Sequence, residues 1–167
     1  MTKEERDLLR KLMTRAIEPE VFKNNFTVDV SMNPSYIREL LDTALIQQEA
    51  YDVEYLLIPI FYFNLYIEEF ADILCKLMNE TWHFQHENIA LIFQRIKSPK
   101  TIDCLYDATL VQLEYLDFDE AYALAVKCIW ALGDINTPES RQRLKLLTQS
   151  DNVIIKDNAI NQLNRDR

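Results

Sequence analysis

Two histidines and a neighbouring carboxylate form the one group here with the residue types and spacing of a metal or acid–base site. His83 and His86 lie three residues apart, and Glu87 follows directly. On a helix this spacing can place both imidazoles on one face, but zinc needs further ligands that the sequence does not indicate. The HExxH motif is also absent. We therefore interpret these residues as polar groups at a helix start and an interface, and we predict no metal and no cofactor.

Other catalytic signatures are missing from the sequence. With one glycine the chain has no glycine-rich phosphate loop, and it contains no nucleophile elbow and no Cys-x-x-Cys pair. No pair of carboxylates can be assigned to a predicted cleft. The absence of these motifs weakens the case for an enzyme without excluding it, so we predict a binding role and no catalysis.

An acidic, base-free stretch is the strongest candidate for a binding surface. Residues 101–126 contain six acids and no lysine or arginine, in a chain of formal net charge −9. Like charges one turn apart on a helix cost about 0.2–0.5 kcal/mol, and a basic partner would relieve that cost. Tyrosines between the acids suit protein recognition, because aromatic side chains are common interface anchors. The predicted partner-binding residues are Tyr106, Asp107, Glu114, Tyr115, Asp117, Asp119, Glu120 and Tyr122.

The alternative is a solvated acidic face, with Asp103 and Asp119 as helix-start acids. The helix predicted after residue 99 carries Asp103, Asp107 and Glu114 as a stripe on one side. Its apolar side is predicted to consist of Ile102, Leu105, Thr109, Val111, Leu113 and Leu116. The same acidity disfavours contact with a phosphate backbone and favours basic partners. Direct nucleic-acid binding is therefore not predicted.

The helices that must position these residues follow an internal repeat. The same spacing of hydrophobic and turn residues occurs twice, 39 residues apart. The first half of this pattern occurs again 31 residues further on. The matched positions are Phe93, Pro99 and Leu105, then Leu132, Pro138 and Leu144, then Leu163. In each full copy Ser98 or Thr137 can cap the second helix, which begins with proline. Gly133, the only glycine, is predicted at a left-handed helix cap.

Residues 131–139 resemble the inter-helix turn of a HEAT repeat. The resemblance implies an all-α fold of stacked antiparallel helix pairs, a HEAT-like α-solenoid of about nine helices. We expect one domain over residues 1–167, with degenerate N-terminal helices in 1–80 and recognisable repeats in 81–167. A general α-helical bundle is the alternative architecture.

Three features of the sequence favour a cytoplasmic protein without a membrane anchor. The charged start of the chain does not fit a signal peptide. The apolar run at residues 55–67 is shorter than the roughly 20 residues of a membrane-spanning helix, so we predict a buried helix bent near Pro59. Cys75, Cys104 and Cys128 are widely spaced in apolar patterns and are predicted to be reduced core residues.

Residues 82–87, 114–120 and 127–132 together resemble HEAT-repeat proteins found among immunity proteins of contact-dependent inhibition and other polymorphic toxin systems. The resemblance implies binding to the toxin domain of a cognate effector, which blocks its active site or its access to a host factor or substrate. Nuclease toxins are usually basic, so an acidic surface would mimic nucleic-acid charge and speed association. The alternative is a cytosolic HEAT-repeat scaffold or adaptor with no toxin partner.

Overall fold

The protein is all-α, as the sequence predicted. The computed structural model describes residues 1–165, and within them it contains ten α-helices, three short 3₁₀ turns and no strand. The count is ten where the repeat pattern led us to expect about nine. The helices are α1 (Lys3–Met13), α2 (Pro19–Asn25), α3 (Pro34–Gln47), α4 (Ala50–Tyr62), α5 (Ala71–Met78), α6 (His86–Ile96), α7 (Ile102–Ala108), α8 (Ala123–Ile135), α9 (Pro138–Leu147) and α10 (Val153–Asn164).

Two buried carboxylates connect the N-terminal helices. Glu5 of α1 accepts hydrogen bonds from the hydroxyls of Thr27 and of Tyr36 in α3, both at 2.6 Å. Asp52 of α4 is paired with the guanidinium of Arg6 in α1, with Nε and Oδ1 2.7 Å apart. Because buried carboxylates require such partners, these contacts fix α1 against α3 and α4.

The apolar run at residues 55–67 is only partly helical. α4 contains Pro59 and ends at Tyr62, and Asn64 then takes a left-handed conformation with a φ angle of 54°. Its buried side chains, Leu56 among them, confirm a core helix, but the helix ends earlier than we predicted. No helix in the described part of the chain has the length and apolar character that crossing a bilayer requires.

The 39-residue repeat corresponds to matched helices. α6 and α8 are both followed by a left-handed residue, Lys97 and Asn136, with φ angles of 56° and 54°. Ser98 and Thr137 then each accept a backbone N–H at 3.2 Å, and a proline begins the next helical segment. The predicted caps and helix starts are therefore confirmed.

Helices at equivalent positions of the repeat contact each other. α6 packs against α8, α8 against α10, and α7 against α9. Glu87 of α6 is paired with Lys127 of α8, and the Gln94 amide donates to Asp134 at 2.8 Å. The repeat residues buried at these helices include Ile89, Phe93, Cys128, Leu132 and Ala159. The repeat pattern in the sequence thus identifies residues of the hydrophobic core.

Gly133 does not form the left-handed cap that the sequence indicated. It lies inside α8, whose left-handed cap is Asn136. A Cβ atom at position 133 would collide with the side chain of Gln162, which reaches across from α10. Glycine allows α8 and α10 to approach closely here, because a larger side chain would displace the buried Gln162.

Two of the three cysteines form a disulfide, which corrects the prediction that all are reduced. Cys75 of α5 is bonded to Cys104 of α7, with Cα atoms 5.7 Å apart. Cys128 is a free, buried thiol, as predicted, and burial raises its pKa. Disulfides are rare in cytosolic proteins, so the bond does not support the cytoplasmic location, which stays a prediction.

Candidate functional site

The connection between α7 and α8, residues 109–122, carries six of the eight predicted binding residues, and we call it the insert loop. α7 ends at Ala108, so the acidic stripe predicted along one helix does not form. Asp103 and Asp107 lie on α7, whereas Glu114 begins a separate 3₁₀ turn. The additional residues of the first repeat copy therefore form a surface loop, and the helix is no longer than its counterpart.

Three of the predicted binding residues have partners within the protein. The hydroxyl of Tyr115 donates to Nδ1 of His86 at 3.0 Å. The carboxylate of Asp119 accepts two backbone N–H groups that lead into α8, at 3.1 and 2.6 Å. Tyr106 lies under the guanidinium of Arg143, which is 4.9 Å from the ring centroid. These side chains are therefore positioned to shape the loop and its surroundings.

The other five predicted residues are exposed, and they are Asp107, Glu114, Asp117, Glu120 and Tyr122. Within residues 1–165, no side-chain hydrogen bond or ion pair engages these four carboxylates. Uncompensated charges of one sign produce a local field that attracts the opposite charge. The structure thus brings four free negative charges to the insert loop and the adjoining end of α7.

Apolar side chains accompany these charges on the surface. Leu110 is 57% exposed, Val111 is 45% exposed and Phe118 is 83% exposed. Sequence reasoning missed all three as surface residues, because it assigned Val111 to the apolar side of a helix and gave Leu110 and Phe118 no role. The difference between the 39- and 31-residue spacings was the available signal, since extra residues at a repeat connection are commonly a loop.

Part of the insert loop closes over α8 and α10 to form a groove of about 390 Å³, which we call the α10 groove. Leu124 of α8 and Ile155 of α10 are buried in its lining. Leu116 is half-buried there, whereas Asp117 and Tyr122 are exposed at its edge. The lining of the groove therefore combines aliphatic side chains with exposed Asp117 and Tyr122 and with the polar side chains of Thr109, Gln112 and Asn152.

A buried pair of histidines lies next to the insert loop and contacts it through Tyr115. The rings of His83 and His86 stack with centroids 4.4 Å apart, and each Nε2–H donates to a backbone carbonyl, at 2.8 and 2.7 Å. Nδ1 of His83 accepts a backbone N–H at 3.1 Å, and Nδ1 of His86 accepts the hydroxyl of Tyr115 at 3.0 Å. All four ring nitrogens are thus engaged within the protein.

The pKa values of this cluster are shifted toward its uncharged forms. Burial, and then the closeness of His83, lowers the pKa of His86 to about 4, and burial lowers the pKa of His83. Burial, and then the charge of Glu87, raises the pKa of Tyr115 to about 12. In the part of the chain that the structure describes, no three His, Cys, Asp or Glu side chains are arranged to hold a metal ion. Of the two histidines, His86 contacts the insert loop directly, through Tyr115.

The chain matches no protein-family model, and no curated protein or solved structure is significantly similar to it. The fold and the site define an all-α protein with an acidic and apolar surface loop.

Proposed function

We propose that the chain is a protein-binding module whose insert loop docks a basic partner protein. The observation that carries this proposal is the exposed composition of the loop and the end of α7, where four exposed carboxylates accompany exposed Leu110, Val111 and Phe118. Burying one such apolar side chain contributes about 1.5–3 kcal/mol, and the carboxylates supply attraction and orientation. This mixture of anchors and charge is typical of protein interfaces.

The specific form of the proposal is an immunity protein that neutralises a toxin domain, most simply a basic nuclease. Two observations support it: the negative surface charge, and the resemblance of residues 82–87, 114–120 and 127–132 to immunity proteins of polymorphic toxin systems. The positive potential of a basic active-site cleft attracts nucleic acid, and an acidic loop would compete with nucleic acid for that cleft. Docking of the insert loop would then occlude the active site or a surface for a host factor or substrate.

We also propose that α6–α10 are stacked as HEAT-like helix pairs. The support is that α6, α8 and α10 contact in series, that α7 contacts α9, and that the paired helices share ends 39 residues apart. Such an arrangement leaves the connections between pairs on one edge of the stack, where insertions are tolerated and often bind ligands. The insert loop is the enlarged connection of this kind.

The experiment that tests the function uses the C-terminal domain encoded by the gene immediately upstream of this one. Its association with the purified chain is measured at about 50 mM and about 300 mM salt, where screening differs strongly. The Glu114→Lys/Asp117→Lys variant reverses two free charges and should slow association about tenfold or more at low salt. Glu39→Lys/Glu69→Lys makes the same change in net charge at exposed residues of the N-terminal half and is the matched control.

A tight, salt-sensitive complex that only the insert-loop variant weakens would support the immunity proposal, as would suppression of the toxin activity by the chain. Equal effects of the two variants would show that association depends on the net charge of the protein and not on the insert loop. No complex with the upstream product would refute the immunity form and leave the scaffold or adaptor alternative for a different partner.

A further inference from the structure

We propose that the α10 groove receives an apolar side chain of the partner, held by a basic residue that flanks this anchor and pairs with the carboxylate of Asp117. The inference rests on the proposed protein-binding function of the insert loop and specifies the partner chemistry. The juxtaposition that carries it is the apolar lining of Leu116, Leu124 and Ile155 beside the exposed Asp117.

The interior of the groove suits an aliphatic or aromatic group. Its volume of about 390 Å³ falls in the range of about 300–1,000 Å³ that is common for binding pockets. Leu124 and Ile155 are packed into the core and hold their positions before binding, and the half-buried Leu116 exposes more apolar surface to the groove. An apolar side chain placed against them would leave water at little conformational cost to this protein.

The opening of the groove supplies the charge preference. The carboxylate of Asp117 has no ion-pair partner among residues 1–165, and no lysine or arginine occurs in residues 101–126. Asp119 also lines the groove, but its carboxylate already accepts backbone N–H groups. A cation beside the anchor therefore gains most from Asp117, whereas an acidic partner segment would be repelled.

The surroundings of the groove favour a protein segment over a small molecule. Leu110 and Val111 line the groove yet are 57% and 45% exposed, and Phe118 next to it is 83% exposed. A ligand confined to the groove would leave much of this apolar surface in water. A partner with a wider surface covers it, and large exposed apolar patches mark protein contact sites.

The test uses the full chain and three labelled hexapeptides. The first is Lys-Arg-Leu-Trp-Arg-Lys, the second replaces Leu-Trp with Gly-Ser, and the third keeps Leu-Trp but replaces the four cations with Ser and Gln. Fluorescence anisotropy gives the dissociation constants, and methyl NMR spectra report which of Leu116, Leu124 and Ile155 responds. We expect the first peptide to bind about tenfold or more tightly than either of the others, with shifts at these three methyl-bearing residues.

Two variants test the groove itself. Ala125→Met places a longer side chain at a residue that lines the groove, and Tyr122→Asn removes the aromatic ring at the opening. Asparagine is chosen because Tyr122 has a φ angle of 52°, a conformation that asparagine tolerates better than most residues. Each variant should weaken binding of the first peptide about tenfold. Ile46→Ala is the control, since Ile46 is an exposed apolar residue of α3.

The outcomes separate this inference from the proposed function. If Glu114→Lys/Asp117→Lys weakens binding of the upstream-gene product whereas Ala125→Met and Tyr122→Asn leave both that product and the peptide unaffected, the groove inference is refuted and the function stands. Equal binding of the uncharged peptide would identify an apolar pocket with no preference for cations and would refute the inference. Absence of peptide binding at about 1 mM would refute it as well.

Discussion

The first copy of the repeat, α6 and α7, and the second copy, α8 and α9, have the same helix ends but differ in the length of the connection after the second helix. After α7 the chain passes through the insert loop, residues 109–122, whereas residues 148–152 suffice after α9. Ser98 and Thr137 both cap a helical segment that begins with proline, although Ser98 accepts from Lys100 N–H in a 3₁₀ turn and Thr137 from Ser140 N–H in a capping box. The candidate binding surface thus arises where the copies diverge.

Residues at matched positions of the two copies also make different contacts. Cys104 bonds to α5, whereas its counterpart Arg143 donates to Asp103 at 2.8 Å. His86 supports the insert loop through Tyr115, whereas the residue 39 positions later is Ala125. The insert loop is therefore held by side chains that only the first copy has.

Among the contacts that only the first copy makes, the disulfide is expected to have the largest effect on the free energy of unfolding. Cys75→Ala/Cys104→Ala opens a cross-link between residues 29 apart and should lower the free energy of unfolding by about 3–4 kcal/mol, because the unfolded chain gains entropy. Urea unfolding without reductant measures the change. Cys128→Ala removes only the buried free thiol, so this control should retain the response to reductant. A wild-type protein whose stability ignores reductant would contradict the prediction.

Acid is expected to act on the first copy through its histidine pair. Because the pKa of His86 is lowered from 6.5 to about 4 in the folded protein, its contribution is fully present above about pH 6.5 and is lost as the pH falls toward 4. The free energy of unfolding should fall by about 2–3 kcal/mol between pH 7.5 and pH 4.5. Urea unfolding at these two pH values measures it.

The matched variant for the acid prediction is His86→Gln, which cannot titrate but can still donate to the Glu80 carbonyl. The titratable groups that face the pair are Glu80, Glu87 and Tyr115. The variant should lose much less stability over this range than the wild type. An identical pH dependence in both proteins would show that another group titrates.

A substitution at Gly133, which lies against Gln162, is expected to have a smaller effect on stability. Only the second copy has this contact. The equivalent residue of the first copy is Gln94, which has room for its side chain. Gly133→Ala should destabilise the protein by about 1–2 kcal/mol, because the displacement of buried Gln162 outweighs the better helix propensity of alanine. In a Gln162→Ala background the same change should stabilise by about 1 kcal/mol. Additive effects in thermal unfolding would rule out the contact as the cause.

Much of the fold could be predicted because its signals are local. The repeat in the sequence identified α6–α9, their proline starts and their caps, since each cap needs only neighbouring residues. Two of the errors concern contacts between distant segments. Gly133 makes room for Gln162 of α10, and Cys104 bonds to Cys75. The residue spacing around Gly133 and around Cys104 indicates neither of these partners.

The candidate site was predictable in composition but not in geometry. The absence of bases in residues 101–126 identified the acidic surface directly. Its shape depends on α7 ending at Ala108 and on the hydrogen bond between Tyr115 and His86. Because the spacing of Leu110 and Phe118 fits a buried helical face equally well, only the folded chain distinguishes surface from core there.

The smallest expected effect on stability concerns the exposed apolar residues of the insert loop. Leu110→Ser/Phe118→Ser should change the free energy of unfolding by less than about 0.5 kcal/mol, because both side chains already face water. Leu124→Ala, at a buried position of the adjoining α8, should cost about 2–5 kcal/mol and calibrates the urea measurement. A large loss in the double serine variant would contradict the surface assignment.

The same serine variant distinguishes a binding loop from an incidental one. Exposed apolar side chains that add nothing to stability increase the tendency to associate, so their presence is explained best by a partner that covers them. The 148–152 connection of the second copy contains no large apolar residue. Loss of partner binding at unchanged stability in Leu110→Ser/Phe118→Ser, with Ile46→Ala unaffected, would make the insert loop the functional difference between the two copies.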